Sequence, residues 1–77
     1  MPRDPKTLDI VAEMVANVMK VPVAPGDRLA AGDTVVLLES MKMEIPVLTE
    51  SPGTVTQVKV AEGDVVQEGD VLVTLEP

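Results

Sequence analysis

The chain has 77 residues, a formal net charge of −7, and no Cys, His, Trp, Tyr or Phe. Without Cys or His it has no disulfide, no thiolate and neither the commonest metal ligand nor the commonest general base, which argues strongly against metalloenzymes and Ser/His or Cys/His hydrolases. The missing aromatic stacking surface and the negative charge argue against a nucleic-acid partner.

No apolar run approaches the roughly 20 residues that span a bilayer, and the start M-P-R-D-P-K-T-L lacks the apolar core of a secretory signal. The expectation is no membrane partner and a cytoplasmic location. A chain this short forms one domain, and its fifteen valines suit strands.

In chain order, residues 1–8, with Pro2, Pro5 and alternating charges, read as a flexible tail, which leaves 9–77 as the domain. Strands are expected near Ile10 to Ala12, Val18 to Val23, Arg28 to Leu29 and Thr34 to Glu39. A second set is expected near Met43 to Leu48, Thr54 to Val60, Val65 to Val66 and Val71 to Leu75. Pro22 cannot donate to a ladder, so it belongs on an edge or at a non-bonded position. The Gln57–Val58 step breaks an otherwise clean alternation and suggests a bulge. Glu13 to Lys20 has helix-forming composition, but its counterpart in the repeat described next is E-S-P-G-T-V-T-Q, where Pro and Gly forbid a helix.

The repeat appears when the sequence is displaced by 37 positions. Val18 to Glu39 then falls on Val55 to Glu76 without a gap, and eleven of 22 positions are identical. Gly26-Asp27 matches Gly63-Asp64, and Gly32-Asp33 matches Gly69-Asp70. Glycine accepts positive φ and aspartate bonds to nearby backbone, so these pairs read as turns. The expected fold is all-β: a flattened eight-stranded barrel or sandwich of two halves related by a pseudo-two-fold axis.

The join between the halves is E-S-M-K-M-E, residues 39 to 44. Leu38 mirrors Ile45, Glu39 mirrors Glu44 and Met41 mirrors Met43, so Lys42 is expected at the tip of a tight hairpin. Met-Lys is poor turn chemistry where Asn-Gly, Asp-Gly or Gly-X is preferred, and a local rule broken at an exposed tip flags function. The plain alternative is a solvated turn lysine, with both methionines packed over the end of the barrel.

The run V-V-L-L-E-S-M-K-M-E, preceded by G-D-R-L-A-A-G-D and followed by S-P-G-T-V, resembles the biotinyl carrier domain of biotin-dependent carboxylases, within the biotin/lipoyl attachment family. The likeness covers about residues 10 to 76, and in size it is nearest to the single-domain bacterial attachment proteins. It implies covalent biotin on Lys42, added by a biotin protein ligase, and a carboxyl shuttle between biotin carboxylase and carboxyltransferase subunits. The chain would then be a carrier rather than an enzyme, with no catalytic or metal-ligating residue of its own.

Met41 and Met43 correspond to the family's flanking methionines, which would position the lysine and distinguish a biotin ligase from a lipoate ligase; turn packing is the other reading. Glu39 and Glu44 are either read by basic groups on the ligase or serve as solubilising charges. Gly53 matches a family glycine with a backbone role, and Ser40 stands where Ala is common. Val18 to Leu29 has no insertion relative to Val55 to Val66. The thumb of the bacterial acetyl-CoA carboxylase carrier is therefore absent, and a biotin here would be freer. The alternatives are a lipoyl carrier, whose lysine usually lies in D-K-A, and an unmodified small-barrel interaction module.

Overall fold

Four Gly-Asp pairs determine where this chain turns. In the computed structural model, which describes residues 7–77, Gly26, Gly32, Gly63 and Gly69 have φ of 96°, 94°, 93° and 93°. Each following aspartate accepts a hydrogen bond from the backbone N–H three residues earlier: Asp27 from Ala24, Asp33 from Ala30, Asp64 from Ala61 and Asp70 from Gln67, at 2.8–2.9 Å. A side chain at any of these glycines would meet no atom within 4 Å, so what glycine provides is the left-handed backbone.

Eight strands lie between the turns: β1 Leu8–Val11, β2 Ala16–Lys20, β3 Arg28–Leu29, β4 Thr34–Ser40, β5 Met43–Leu48, β6 Gly53–Val58, β7 Val65–Val66 and β8 Val71–Glu76. They form two four-stranded antiparallel sheets, ordered β1-β8-β6-β3 and β5-β4-β2-β7. Adding 37 to the first half turns β1, β2, β3 and β4 into β5, β6, β7 and β8, so the repeat operation exchanges the two sheets. The all-β, two-half architecture agrees with the sequence; of the two expected forms it is the sandwich, with two separate sheets and a flattened envelope of 35 × 26 × 18 Å. No insertion interrupts the β2–β3 connection.

The core comes from both sheets and includes Val18, Val35, Val36 and Leu38 with their repeat mates Val55, Leu72, Val73 and Leu75. Strict alternation could not bury Val35 and Val36 together. A register shift between Thr34 and Val36 adds a residue and turns both inward, and β8 repeats the device around Leu72 against β1.

Several sequence expectations shift. The second strand begins at Ala16 and ends at Lys20, so Pro22 lies beyond it and does not interrupt a ladder. β6 likewise ends at Val58 rather than Val60. The irregularity expected at Gln57–Val58 falls between Val55 and Gln57, matched by one between Val18 and Lys20. Glu13 to Lys20 contains no helix. Residues 1–6 of the expected tail lie outside the described residues, while Leu8 pairs with Leu75. Among the described residues, no helix is long and apolar enough to cross a membrane.

Leu38 and Leu75 are repeat mates, each 1% exposed. Leu38→Ala and Leu75→Ala should each cost about 3 kcal/mol, with the two values close because the two environments are equivalent; urea denaturation of both variants measures this.

Candidate functional site

The β4–β5 hairpin carries the candidate lysine. Ser40 pairs with Met43, Glu39 with Glu44, Leu38 with Ile45 and Leu37 with Pro46, leaving Met41 and Lys42 as a two-residue turn. Both turn residues are left-handed, with φ of 54° and 64°. Positive φ at both central positions is the type I′ pattern that matches strand twist, and it normally selects Asn-Gly. With ordinary side chains in its place, each position costs roughly 1–2 kcal/mol. The turn is held by the ladder behind it rather than by its own preference.

Pairing alternates from the closing Ser40–Met43 pair, so Leu37–Pro46 occupies a non-hydrogen-bonded site and the missing N–H of Pro46 costs no ladder bond. β5 is also an edge strand, where proline discourages unwanted pairing. At the base of the hairpin, Thr49 is 1% exposed; its hydroxyl donates to the Ser51 carbonyl (2.6 Å) and accepts from the Ser51 N–H (3.3 Å). The Thr49 backbone is fixed as well, since its carbonyl accepts from the Gly32 N–H and its N–H donates to the Asp33 carbonyl. Sequence reasoning missed Thr49; the signal available was its place 37 positions after the equally buried Ala12.

Every sequence-predicted site residue falls on this hairpin. Lys42 is exposed at the tip, and Met41 and Met43 are 90% and 62% exposed, so the methionines are not core filler. Glu39 and Glu44 face each other across a non-hydrogen-bonded pair, the closer type, where like charges repel. Gly53 lies apart from the tip: a Cβ there would meet the Glu76 carbonyl oxygen at 3.1 Å and the Leu75 Cβ at 3.3 Å, so its role is close approach of β6 to β8. No group of three or more His, Cys, Asp or Glu among the described residues could hold a metal ion. The hairpin presents one exposed amine at its tip, carried on a paired two-strand ladder.

The exposed Lys42 thus stands at the hairpin that joins the two repeat-related halves. The chain belongs to the biotin/lipoyl attachment family, whose model, described as "Biotin-requiring enzyme", matches residues 7–75. It is similar to the "Biotinylated protein TB7.3 homolog" of Mycolicibacterium smegmatis, with 65% identity over 40 residues, which is 52% of this chain and 56% of that relative. The match thus spans little more than half the length of that relative. Among solved structures it is similar to a single-chain, multi-domain long-chain acyl-CoA carboxylase, with a TM-score of 0.90 and 28% identity over 99% of this chain and 8% of the other. It is also similar to the lipoyl domain of the 2-oxoglutarate dehydrogenase complex of Azotobacter vinelandii, with a TM-score of 0.70 and 27% identity over 82% of this chain and 80% of that one.

Replacing Met41 by Asn gives the first turn position a residue that tolerates positive φ. Met41→Asn should raise stability by about 0.5–1 kcal/mol, seen as a higher urea midpoint at unchanged slope.

Proposed function

We propose that Lys42 is the residue to which biotin is attached, that a biotin protein ligase attaches it, and that the domain carries a carboxyl group between active sites of a biotin-dependent carboxylase. The observation that carries this reading is the exposed Lys42 in a strained, non-glycine turn between two exposed methionines. A chain selected only to turn would place Asn-Gly here. The family description and a biotinylated relative support biotin as the cargo.

The residues fit an acyl attachment. The ε-amine of Lys42 attacks the acyl carbonyl of biotinyl-adenylate; a C–N amide bond forms, the C–O bond to AMP breaks, and the amine gives up a proton. An amine is a nucleophile only when deprotonated, and the hairpin holds no His, so the base that takes this proton belongs to the ligase. When attached, the biotin ureido ring accepts a carboxyl group at one site and gives it up at another. This chain's part is mechanical: the β4–β5 ladder fixes the root of the arm, and the arm keeps its cargo at high local concentration near both sites.

Met41 and Met43 present flexible apolar surface on either side of the amine, a soft collar for a ligase pocket. Glu39 and Glu44 add a paired negative charge one step below it, complementary to basic groups. A partner cation placed between them also relieves their mutual repulsion. The partners on this reading are the ligase and then the biotin carboxylase and carboxyltransferase subunits. The lipoyl reading has one observation in its favour, the similar backbone of a lipoyl domain. Met-Lys-Met in place of D-K-A weighs against it.

Intact mass of the protein purified from cells that express a biotin ligase tests the proposal, with Lys42→Arg alongside. A gain of one biotinyl group on wild type, absent in Lys42→Arg, is the expected result. A lipoyl-sized gain would move the protein to acyl transfer, and no gain with excess ligase, biotin and ATP would leave the tip as a plain turn. Glu39→Gln and Glu44→Gln together should raise the ligase KM several-fold at low salt, with the difference shrinking as ionic strength rises; steady-state biotinylation rates at two salt concentrations measure it.

A further inference from the structure

The repeat provides an internal control for the surface. The two sheets have the same backbone, so their outer faces should differ only where something other than folding selects residues. On the sheet without the lysine, the part of the outer face beyond the Val11–Val71 pair is polar and cross-linked. The Thr74 hydroxyl donates to Asp9 Oδ1 (3.1 Å), the Thr56 hydroxyl donates to the Thr74 carbonyl (3.1 Å), and Arg28 Nη1 donates to Thr54 Oγ1 (3.4 Å).

On the sheet that carries Lys42, four of those positions are apolar. Leu37 stands for Thr74, Pro46 for Asp9, Met19 for Thr56 and Val65 for Arg28. Leu37 and Pro46 are direct cross-strand partners, Lys20 extends their row onto β2, and the next row runs Glu44, Glu39, Asn17, Val65 across all four strands. Val65 is 65% exposed, Pro46 is exposed, and Leu37 and Met19 are half-buried. All four replacements run in the same direction, and all lie on the sheet whose hairpin presents the lysine. Apolar side chains set in this way among Lys20, Asn17, Glu39 and Glu44 give the mixed apolar and charged surface that a partner protein can cover.

We propose that the outer face of the β5-β4-β2-β7 sheet, built on Met19, Leu37, Pro46 and Val65, is the surface by which a biotin protein ligase holds this domain while it modifies Lys42. This rests on the carrier reading above. The face is continuous with the hairpin, so a protein seated on it reaches the tip at the same time. Its charge selects the partner: Glu39 and Glu44 lie between the Leu37–Pro46 pair and the tip, so the complementary surface is apolar with basic groups toward the hairpin. A second copy of this chain, with its own net charge of −7, is the wrong complement. A ligase also needs such a face whatever surrounds its target, because it finds the folded domain by diffusion and must recognise it from surface alone.

The test exchanges one face for the other. Leu37→Thr with Pro46→Asp installs residues that the same backbone already accepts at the mated positions; Val65→Arg is a separate variant at an exposed site, which keeps the test alive if the double variant fails to fold. Thr56→Met on the opposite sheet is the control. Each is assayed with a purified bacterial biotin protein ligase, biotin and MgATP, with circular dichroism and melting temperature as the check on folding.

The expected result is a rise in KM of about tenfold for the double variant, a smaller rise for Val65→Arg, kcat retained in both, and no change for Thr56→Met. Wild-type biotinylation with KM unchanged in both face variants would overturn the face and leave the carrier reading intact. No biotin on wild type would overturn both. A wild-type dimer by sedimentation that the double variant dissolves would assign the face to a second copy and overturn the ligase proposal.

Discussion

Each half of this protein closes the strands of the other. The Gly26 N–H donates to the Val55 carbonyl and the Gly63 N–H to the Val18 carbonyl, at 2.7 and 2.9 Å; the Val55 N–H donates to the Asp27 carbonyl and the Val18 N–H to the Asp64 carbonyl, both at 2.8 Å. The same reciprocity joins Gly32 and Asp33 to Thr49, and Gly69 and Asp70 to Ala12. Neither repeat can satisfy its own strand ends, so neither is a folding unit alone. In a chain this small, with no disulfide and no aromatic residue to enlarge the core, that interlock ties the two halves together within each sheet.

The hairpin depends on this arrangement more than any other part. Two left-handed non-glycine residues at one turn and two glutamates opposed just below it are local penalties. They persist because β4 is central in its sheet, flanked by β2 and β5, with Val35, Val36 and Leu38 in the core. The ladder overrides the turn. The backbone that carries the Lys42 side chain is therefore ordered by the sheet, while the side chain itself stays free to move.

The sequence made much of this legible through the repeat. Gly-Asp recurring at a fixed interval located four turns, and Val/Leu-rich runs between them located eight strands. The E-S-M-K-M-E palindrome located the tip. The strand ends on β2 and β6 were less legible, since valines at 21, 23 and 60 continue the strand pattern while the backbone leaves the ladder toward the Gly-Asp turns; these side chains pack on the core without belonging to a sheet. The bulges at Val35-Val36 and around Leu72 escaped because a doubled inward residue reads as a short apolar run in one dimension. Thr49 escaped because a threonine beside Glu50 and Ser51 looks like loop, and its burial follows from hydrogen bonds that close on Ser51 and on the Gly32-Asp33 turn.

Duplication also sets one connection apart from the rest. The Gly-Asp turns come in mated pairs, and each turn serves the opposite half, so a change at any one of them weakens a strand end elsewhere. The β4–β5 connection joins the halves and closes no strand but its own. It is therefore free to carry residues that are poor for turning and useful for attachment. The outer sheet faces have a similar freedom, because the core is built from the inner residues, and the same backbone holds Thr74 against Asp9 on one face and Leu37 against Pro46 on the other. The same register thus accepts a polar pair on one face and an apolar pair on the face of the sheet that carries Lys42.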